Sequence, residues 1–443
     1  MCQDANHNSH HYLLFFTYSF WLYTNIYESI AYINIFHVLK SNHISIIAEY
    51  LQMKLSKLSS SITRTINAEY TRVRKGSTIA IIAITVLIIS STPVFSSLTY
   101  HQNNYAYAQG ATSQKKVLRL GYFPNVNHAQ AVIGIQTDHF KKQLGSNIDL
   151  QPTIFNAGPS AIEALLAKRI DATYVGSNPA INGYVASGGK DLRIISGAAS
   201  GGAVFVVRND SGINSPKDFS GKKFATPQLG NTQDVALRKY LLDHGYKTTE
   251  NGGNVTVVPV SNADTLTLFL KKQLDGAWVP EPWGARLVKE GGGKILLDER
   301  DLWPQGKFVT NNIVVRSDYL QNNPDVIKKL LAANLNETLW INSHKEQAAK
   351  LLNDGIKKLT GKTIPADVLN ASLSRIDFTY DPLKLQLLQS ANNAFDVGYL
   401  GKQRPDLSGI FDTTLLDQVL KEKKLPPLEQ NANATAASLG AVQ

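Results

Sequence analysis

The chain has 443 residues, with 45 Lys plus Arg against 35 Asp plus Glu, 43% hydrophobic residues and one Cys. That length and apolar content suffice to bury the cores of two lobes or of two to three small domains, and exclude a disordered chain. The lone thiol, Cys2, excludes disulfide scaffolding and cysteine-based zinc sites, and the net charge of +10 raises the question of nucleic acid.

Residues 1–52 are rich in Tyr, Phe, Ile, Asn and His, the composition AT-rich DNA encodes when translated. Met53 is the second of two methionines, so it is the expected true start and 1–52 a doubtful upstream segment; a first membrane helix is the alternative. Residues 53–108 read as an export signal. Arg72, Arg74 and Lys75 precede the apolar run Ile79–Ile89, and the polar stretch after it ends Tyr-Ala-Tyr-Ala-Gln, which predicts cleavage after Ala108. An uncleaved N-terminal anchor is the alternative; either way the remainder is exported. No Cys follows the apolar run, which excludes a bacterial lipid anchor. Seven of the bases fall before residue 109, and the rest lie in doublets on expected helix surfaces. No nucleic-acid partner is expected.

From Lys115, β-rich runs alternate with helical patterns. Strands are expected near 117–122, 148–154, 171–175, 192–197 and 203–208, then near 222–226, 254–260, 275–279 and 294–298. Helices are expected at 159–169 and 264–273, among others. Alternation of this kind predicts parallel sheets with crossover helices. At an offset of 104 residues, Ile162, Leu165, Leu166, Ile170, Asp171, Tyr174 and Val175 meet Leu266, Phe269, Leu270, Leu274, Asp275, Trp278 and Val279. The offset predicts two equivalent lobes, with ligand sites beyond the carboxyl ends of their strands. The expected boundaries are 115–205 for the first part of lobe 1, 206–308 for lobe 2, and 309–425 for the completion of lobe 1 with C-terminal helices. Those helices are expected from Asn323 through Trp340 and at 344–359, 365–374, 382–400 and 412–422. Residues 426–443, Ala/Asn-rich and without apolar periodicity, are expected to be a disordered tail.

Enzyme constellations are thin. The chain has no GxSxG, no HExxH and no P-loop, and its Gly pairs lack dinucleotide spacing. His128, His139, His244 and His344 do not pair at metal-ligand spacing, so no metal, cofactor or catalytic residue is expected. Four strand-to-helix junctions stand out instead: Pro124–His128, Asn156–Ser160, Gly176–Pro179 and Gly230–Gln233. Each sets Asn, Ser, Thr or Gly where a helix N-terminus exposes unpaired N–H groups, the way to hold an anion without a cation. Ordinary N-capping is the alternative at any one of them. The loop Ala277–Trp283 adds two Trp as flat walls and Glu281, for a ligand amine or a Lys of the other lobe; a core position is the alternative for Trp283.

The segments GYFPNVNHAQA, ALLAKRIDATYVGSNPAINGY, DFSGKKFATPQLGNTQD, LDGAWVPEPWGARLV and FTYDPLKLQLLQSA resemble the substrate-binding components of ABC importers for aliphatic sulfonates, nitrate and taurine, over nearly all of 115–425. The resemblance implies an α/β fold of the two-lobe type II periplasmic binding protein kind, with a ligand cleft between the lobes and a helical C-terminal extension. It implies a pocket drawn from Asn125, Asn127, His128, Gly158, Ser160, Ser177, Asn178, Asn231, Thr232, Gln233, Trp278 and Glu281, with Asn311 and Asn312 on the second crossover. The implied partners of this monomer are a small anionic ligand, an ABC permease and its ATPase. A sulfonate or taurine-like compound is the expected ligand, since a Trp-lined end would be wasted on nitrate or bicarbonate. A thiamin-pyrimidine enzyme on the same fold is disfavoured, because the exported part has no Cys.

Overall fold

The computed structural model describes residues 115–428; the upstream segment, the export signal or anchor, and the tail beyond 428 fall outside them. Among the described residues no helix is long and apolar enough to cross a membrane. Lobe 1 opens with β1 (Lys116–Tyr122), α1 (Ala129–Gln136), α2 (His139–Leu144), β2 (Ile148–Ile154), α3 (Gly158–Leu166), β3 (Ala172–Val175), α4 (Ser177–Ala186) and β4 (Leu192–Gly201). Lobe 2 holds β5 (Ala203–Arg208), β6 (Lys223–Thr226), α5 (Thr232–Asp243), β7 (Thr256–Pro259), α6 (Asn262–Leu270), β8 (Gly276–Pro280), α7 (Trp283–Lys289) and β9 (Gly293–Asp298). The chain then returns through β10 (Val309–Arg316), α8 (Ser317–Asn322), α9 (Pro324–Ser343), α10 (Lys345–Thr360), α11 (Ala366–Leu373), β11 (Ile376–Phe378), α12 (Lys384–Asp396) and α13 (Thr414–Glu422).

Two sheets result, ordered β11-β4-β10-β3-β1-β2 and β7-β6-β8-β5-β9. Both are mixed rather than parallel as expected: β10 runs antiparallel to β3 and β4, and β5 antiparallel to β8 and β9. The returning strand enters each sheet from the opposite direction because it crosses between lobes instead of looping over one sheet. The first crossing falls at Gly201–Gly202, both with positive φ (76° and 73°), a conformation glycine adopts without penalty. Strand β5 therefore belongs to the second sheet, which corrects the expected lobe 1 boundary at 205. Each sheet is buried on both faces by helices, with two apolar cores per lobe. Leu428 packs on the first lobe's core, so the expected disorder does not begin at 426.

The repeat is visible atom by atom. Asp171 Oδ2 accepts from the Arg119 amide at 2.9 Å, and Asp275 Oδ2 from the Lys223 amide at 2.8 Å, tying the start of β3 to β1 in lobe 1 and the start of β8 to β6 in lobe 2. Helices α3 and α6 stop short of the expected 169 and 273. Lys168 and Lys272, also 104 apart, take left-handed backbone (φ 58° and 57°) just beyond them.

Candidate functional site

A cavity of about 30 Å³ lies where the carboxyl ends of the two sheets' strands face each other. Lobe 1 lines it with Phe123, Asn125, Asn127 and His128 after β1, Asn156, Ala157 and Gly158 after β2, Gly176 and Pro179 after β3, and Thr310 on β10. Lobe 2 supplies Pro227, Asn231, Thr232 and Gln233 after β6, Asn262 after β7 and Pro280 after β8. Ten of these form five pairs at the 104-residue offset: Phe123 with Pro227, Asn127 with Asn231, His128 with Thr232, Gly158 with Asn262, and Gly176 with Pro280. The cavity is thus built twice from one plan. A larger groove of about 1050 Å³, lined in part by Lys239, His244, Lys384 and Phe411, contains none of these residues.

No Asp, Glu, Lys or Arg is among the lining residues. The first turns of α3, α5 and α6 instead bring backbone N–H groups and positive dipole ends to the cavity. The start of α5 is fixed by Asn231, whose Oδ1 accepts from the Asp234 amide at 2.8 Å. Asp234 is fully buried and accepts from the Gly230 amide, Thr226 Oγ1, Arg238 Nε and Tyr399 Oη. Its charge is spent on holding the loop. His128 is 2% exposed, and its Nδ1 accepts from the Phe123 amide at 3.3 Å. Burial pushes its imidazole down to about 3, so the ring is neutral and its proton sits on Nε2.

The lobes touch around the cavity. Trp283 Nε1 donates to Asn125 Oδ1 at 3.2 Å, Gln228 Nε2 to Ser160 Oγ at 3.2 Å, and Asn182 Nδ2 to the Gly230 carbonyl at 3.3 Å. A side chain at Gly176 would collide with Thr232 Oγ1 of the other lobe.

Of the expected pocket residues, Asn125, Asn127, His128, Gly158, Asn231, Thr232 and Gln233 line this cavity. Ser160 bridges the lobes beside it. Ser177 and Asn178 are buried and turn away: Ser177 Oγ donates to Asn178 Oδ1, and Asn178 Nδ2 to the Ser390 carbonyl at 3.1 Å, pinning α4 to α12. Trp278 is corrected outright. It lies fully buried in lobe 2, stacked on Phe205 at 5.3 Å, with Nε1 donating to Glu299 at 2.7 Å. Of the two Trp expected as walls, the half-buried Trp283 is the one at the lobe interface, and the core position allowed for Trp283 falls to Trp278. Glu281 does not line the cavity; it pairs with a cation of the other lobe, Arg375 in place of the Lys given as the second possibility. It is fully buried and accepts from the Ala285 amide, Ser372 Oγ and Arg375 Nη1 at 2.9, 3.0 and 3.0 Å, anchoring the loop before α7 to the lobe 1 return. Burial pushes its carboxyl up against the opposing pull of these donors. Asn311 and Asn312 lie on β10 inside the first sheet, and the second crossing precedes them between Asp298 and Val309.

Asn262 and Thr310 line the cavity and are absent from the expected pocket. For Asn262 the signal was present: it stands 104 residues after Gly158.

Two α/β lobes with this strand order, joined by two crossings with a cavity at their strand ends, have the fold of type II periplasmic binding proteins. The chain belongs to the NMT1-like family, whose model matches residues 111–353. It is 26% identical over 321 residues to a putative aliphatic sulfonates-binding protein of Bacillus subtilis, covering 71% of this chain and 91% of that one. In structure it is similar to the alkanesulfonate-binding protein SsuA of Xanthomonas axonopodis pv. citri bound to MOPS (TM-score 0.57, 19% identity, 67% and 99% coverage). It is likewise similar to the nitrate-binding protein NrtA of Synechocystis PCC 6803 (TM-score 0.57, 15% identity, 71% and 90% coverage).

Proposed function

We propose that the protein is an extracytoplasmic solute-binding component of an ABC importer that captures a small oxyanion, of the aliphatic sulfonate or taurine-like kind, and delivers it to a permease driven by an ATPase. The observation that carries this reading is the cavity assembled from equivalent residues of both lobes, with helix N-termini and amides but no charged side chain among its lining residues. Neutral donors suit an anion that stays singly ionised, as a sulfonate does. The sulfonate-binding relative, which shares most of its length with this chain, supports the ligand class. Binding rather than catalysis accords with a lining of neutral hydrogen-bonding groups.

A nitrate- or bicarbonate-sized ligand is the second reading. One observation favours it: Trp278 is withdrawn into the lobe 2 core and does not line the cavity. Thermal melting with ethanesulfonate, taurine, nitrate and bicarbonate tests both. A ligand at a hundred times its Kd adds about 2.7 kcal/mol, and the compound giving that gain selects the reading. No gain with any of them rejects both.

A further inference from the structure

The cavity's buried amides fall into two groups by what their side-chain atoms already do. Asn125 Oδ1 accepts from Trp283, Asn231 Oδ1 from the Asp234 amide, and Gln233 Oε1 from Asn231 Nδ2. By contrast, Asn127 Oδ1 and Asn262 Oδ1 are buried without a hydrogen-bond partner among the described residues, in side chains 4% and 8% exposed. Burying a polar atom unpaired is costly, and such atoms are rare unless something completes them. These two come one from each lobe and line one cavity. The Asn127 main chain is itself held, its carbonyl accepting from Asn311 Nδ2 at 3.0 Å.

We propose that Asn127 and Asn262 are the side chains that read the ligand, donating Nδ2 hydrogens to its anionic oxygens from opposite lobes, while Asn125, Asn231 and Gln233 frame the cavity. The inference rests on the oxyanion reading above and names its specificity-determining residues. A half-turn of the amide about its terminal torsion exchanges carbonyl for amino group at the same place. The surrounding field decides which end faces the ligand: the first turns of α3 and α6 present N–H groups and no charged side chain lines the site, so an anion is favoured there and the amino end turns to it. Asn262 also breaks the repeat. Its lobe 1 counterpart is Gly158, where any side chain would collide with Pro179, so only lobe 2 can place an amide at this point.

The test is calorimetric titration of the protein and of N127D, N262D and N262G with ethanesulfonate, taurine and nitrate. Asp keeps the shape, removes the donors and adds a negative charge; Gly installs the residue lobe 1 carries. Each Asp variant is expected to lose about 100-fold or more in affinity for every oxyanion that the unmodified protein binds, and N262G about 10-fold, as for loss of a charge-assisted hydrogen bond. The melting temperature of ligand-free N262G should stay near that of the unmodified protein. Two results overturn the proposal: affinities of N127D and N262D within about twofold of the unmodified protein, or an Asp variant that binds taurine more tightly, which would make these amides acceptors for its amine. If the unmodified protein binds none of the three and no bicarbonate either, the oxyanion reading fails and this inference falls with it.

Discussion

Trp283 of lobe 2 donates its indole N–H to Asn125 of lobe 1 at 3.2 Å, and Asn125 lines the cavity. One bond thus joins the lobes at the place where a ligand would be enclosed. The Trp283 ring is held from its own helix, with the Arg286 guanidinium 4.8 Å from the centre of the ring. Closure and enclosure are therefore coupled through a residue that need not touch the ligand.

Trp283→Phe keeps the ring and removes the donor. It should leave ligand-free stability near that of the parent while weakening ligand binding by about 2- to 10-fold, the worth of one neutral hydrogen bond, mainly through faster release. Stopped-flow release and calorimetry check this.

Gly176→Ala adds one methyl at a residue with ordinary extended backbone (φ −69°, ψ 166°), so lobe 1 accepts it alone. The methyl meets Thr232 across the cleft. Affinity should fall by at least about 10-fold, and pairing it with Thr232→Ala, which removes the hydroxyl the methyl meets, should recover part of the loss, as coupled neighbours do. An affinity equal to the parent's would mean that the lobes do not close as described.

Burial pushes the Glu299 carboxyl up to about 7, although Trp278 and Trp303 donate to it. Its unfolded counterpart ionises near 4.5, so the native state holds a proton that the unfolded state has lost, and stability falls as pH rises from 4.5 through 7. Glu299→Gln keeps an acceptor for Trp278 and removes this dependence. The variant should be more stable than the parent by up to about 3 kcal/mol at pH 8 and no more stable at pH 4.5, as read by denaturant unfolding.

His128 acts in the opposite direction. Its folded-state value, about 3, lies below the ordinary 6.5, so on acidification from 6.5 the unfolded chain takes up a proton that the native ring refuses. Stability is lost toward pH 3 at up to about 1.4 kcal/mol per pH unit. His128→Gln should flatten the slope between pH 6 and 4 in urea unfolding. Because the ring stays neutral in the fold, sulfonate affinity should be flat from pH 5 to 8.

The strands were legible because β-branched and aromatic runs bounded by Gly, Pro and Asn mark them, and the offset of 104 carried the lobe plan into the cavity. Side-chain direction was not legible at Trp278. Strand β8 is buried on both faces, so the two-residue alternation that would separate core from site is absent. The available clue was Tyr174, 104 residues earlier and itself fully buried. For Glu281 a basic residue of the other lobe was one of two readings, but its partners Ser372 and Arg375 lie 91 and 94 residues away, so no local pattern could identify them. Strand β11, three residues long, is too short to show a period.

The central claim is that residues from two equivalent lobes enclose a small oxyanion with neutral donors. Calorimetric titration of the protein with ethanesulfonate, taurine, nitrate and bicarbonate tests it most directly. Saturable one-to-one binding of at least one of them, lost in Gly176→Ala, is the predicted result. No binding of any, or binding that survives Gly176→Ala at parental affinity, would contradict it.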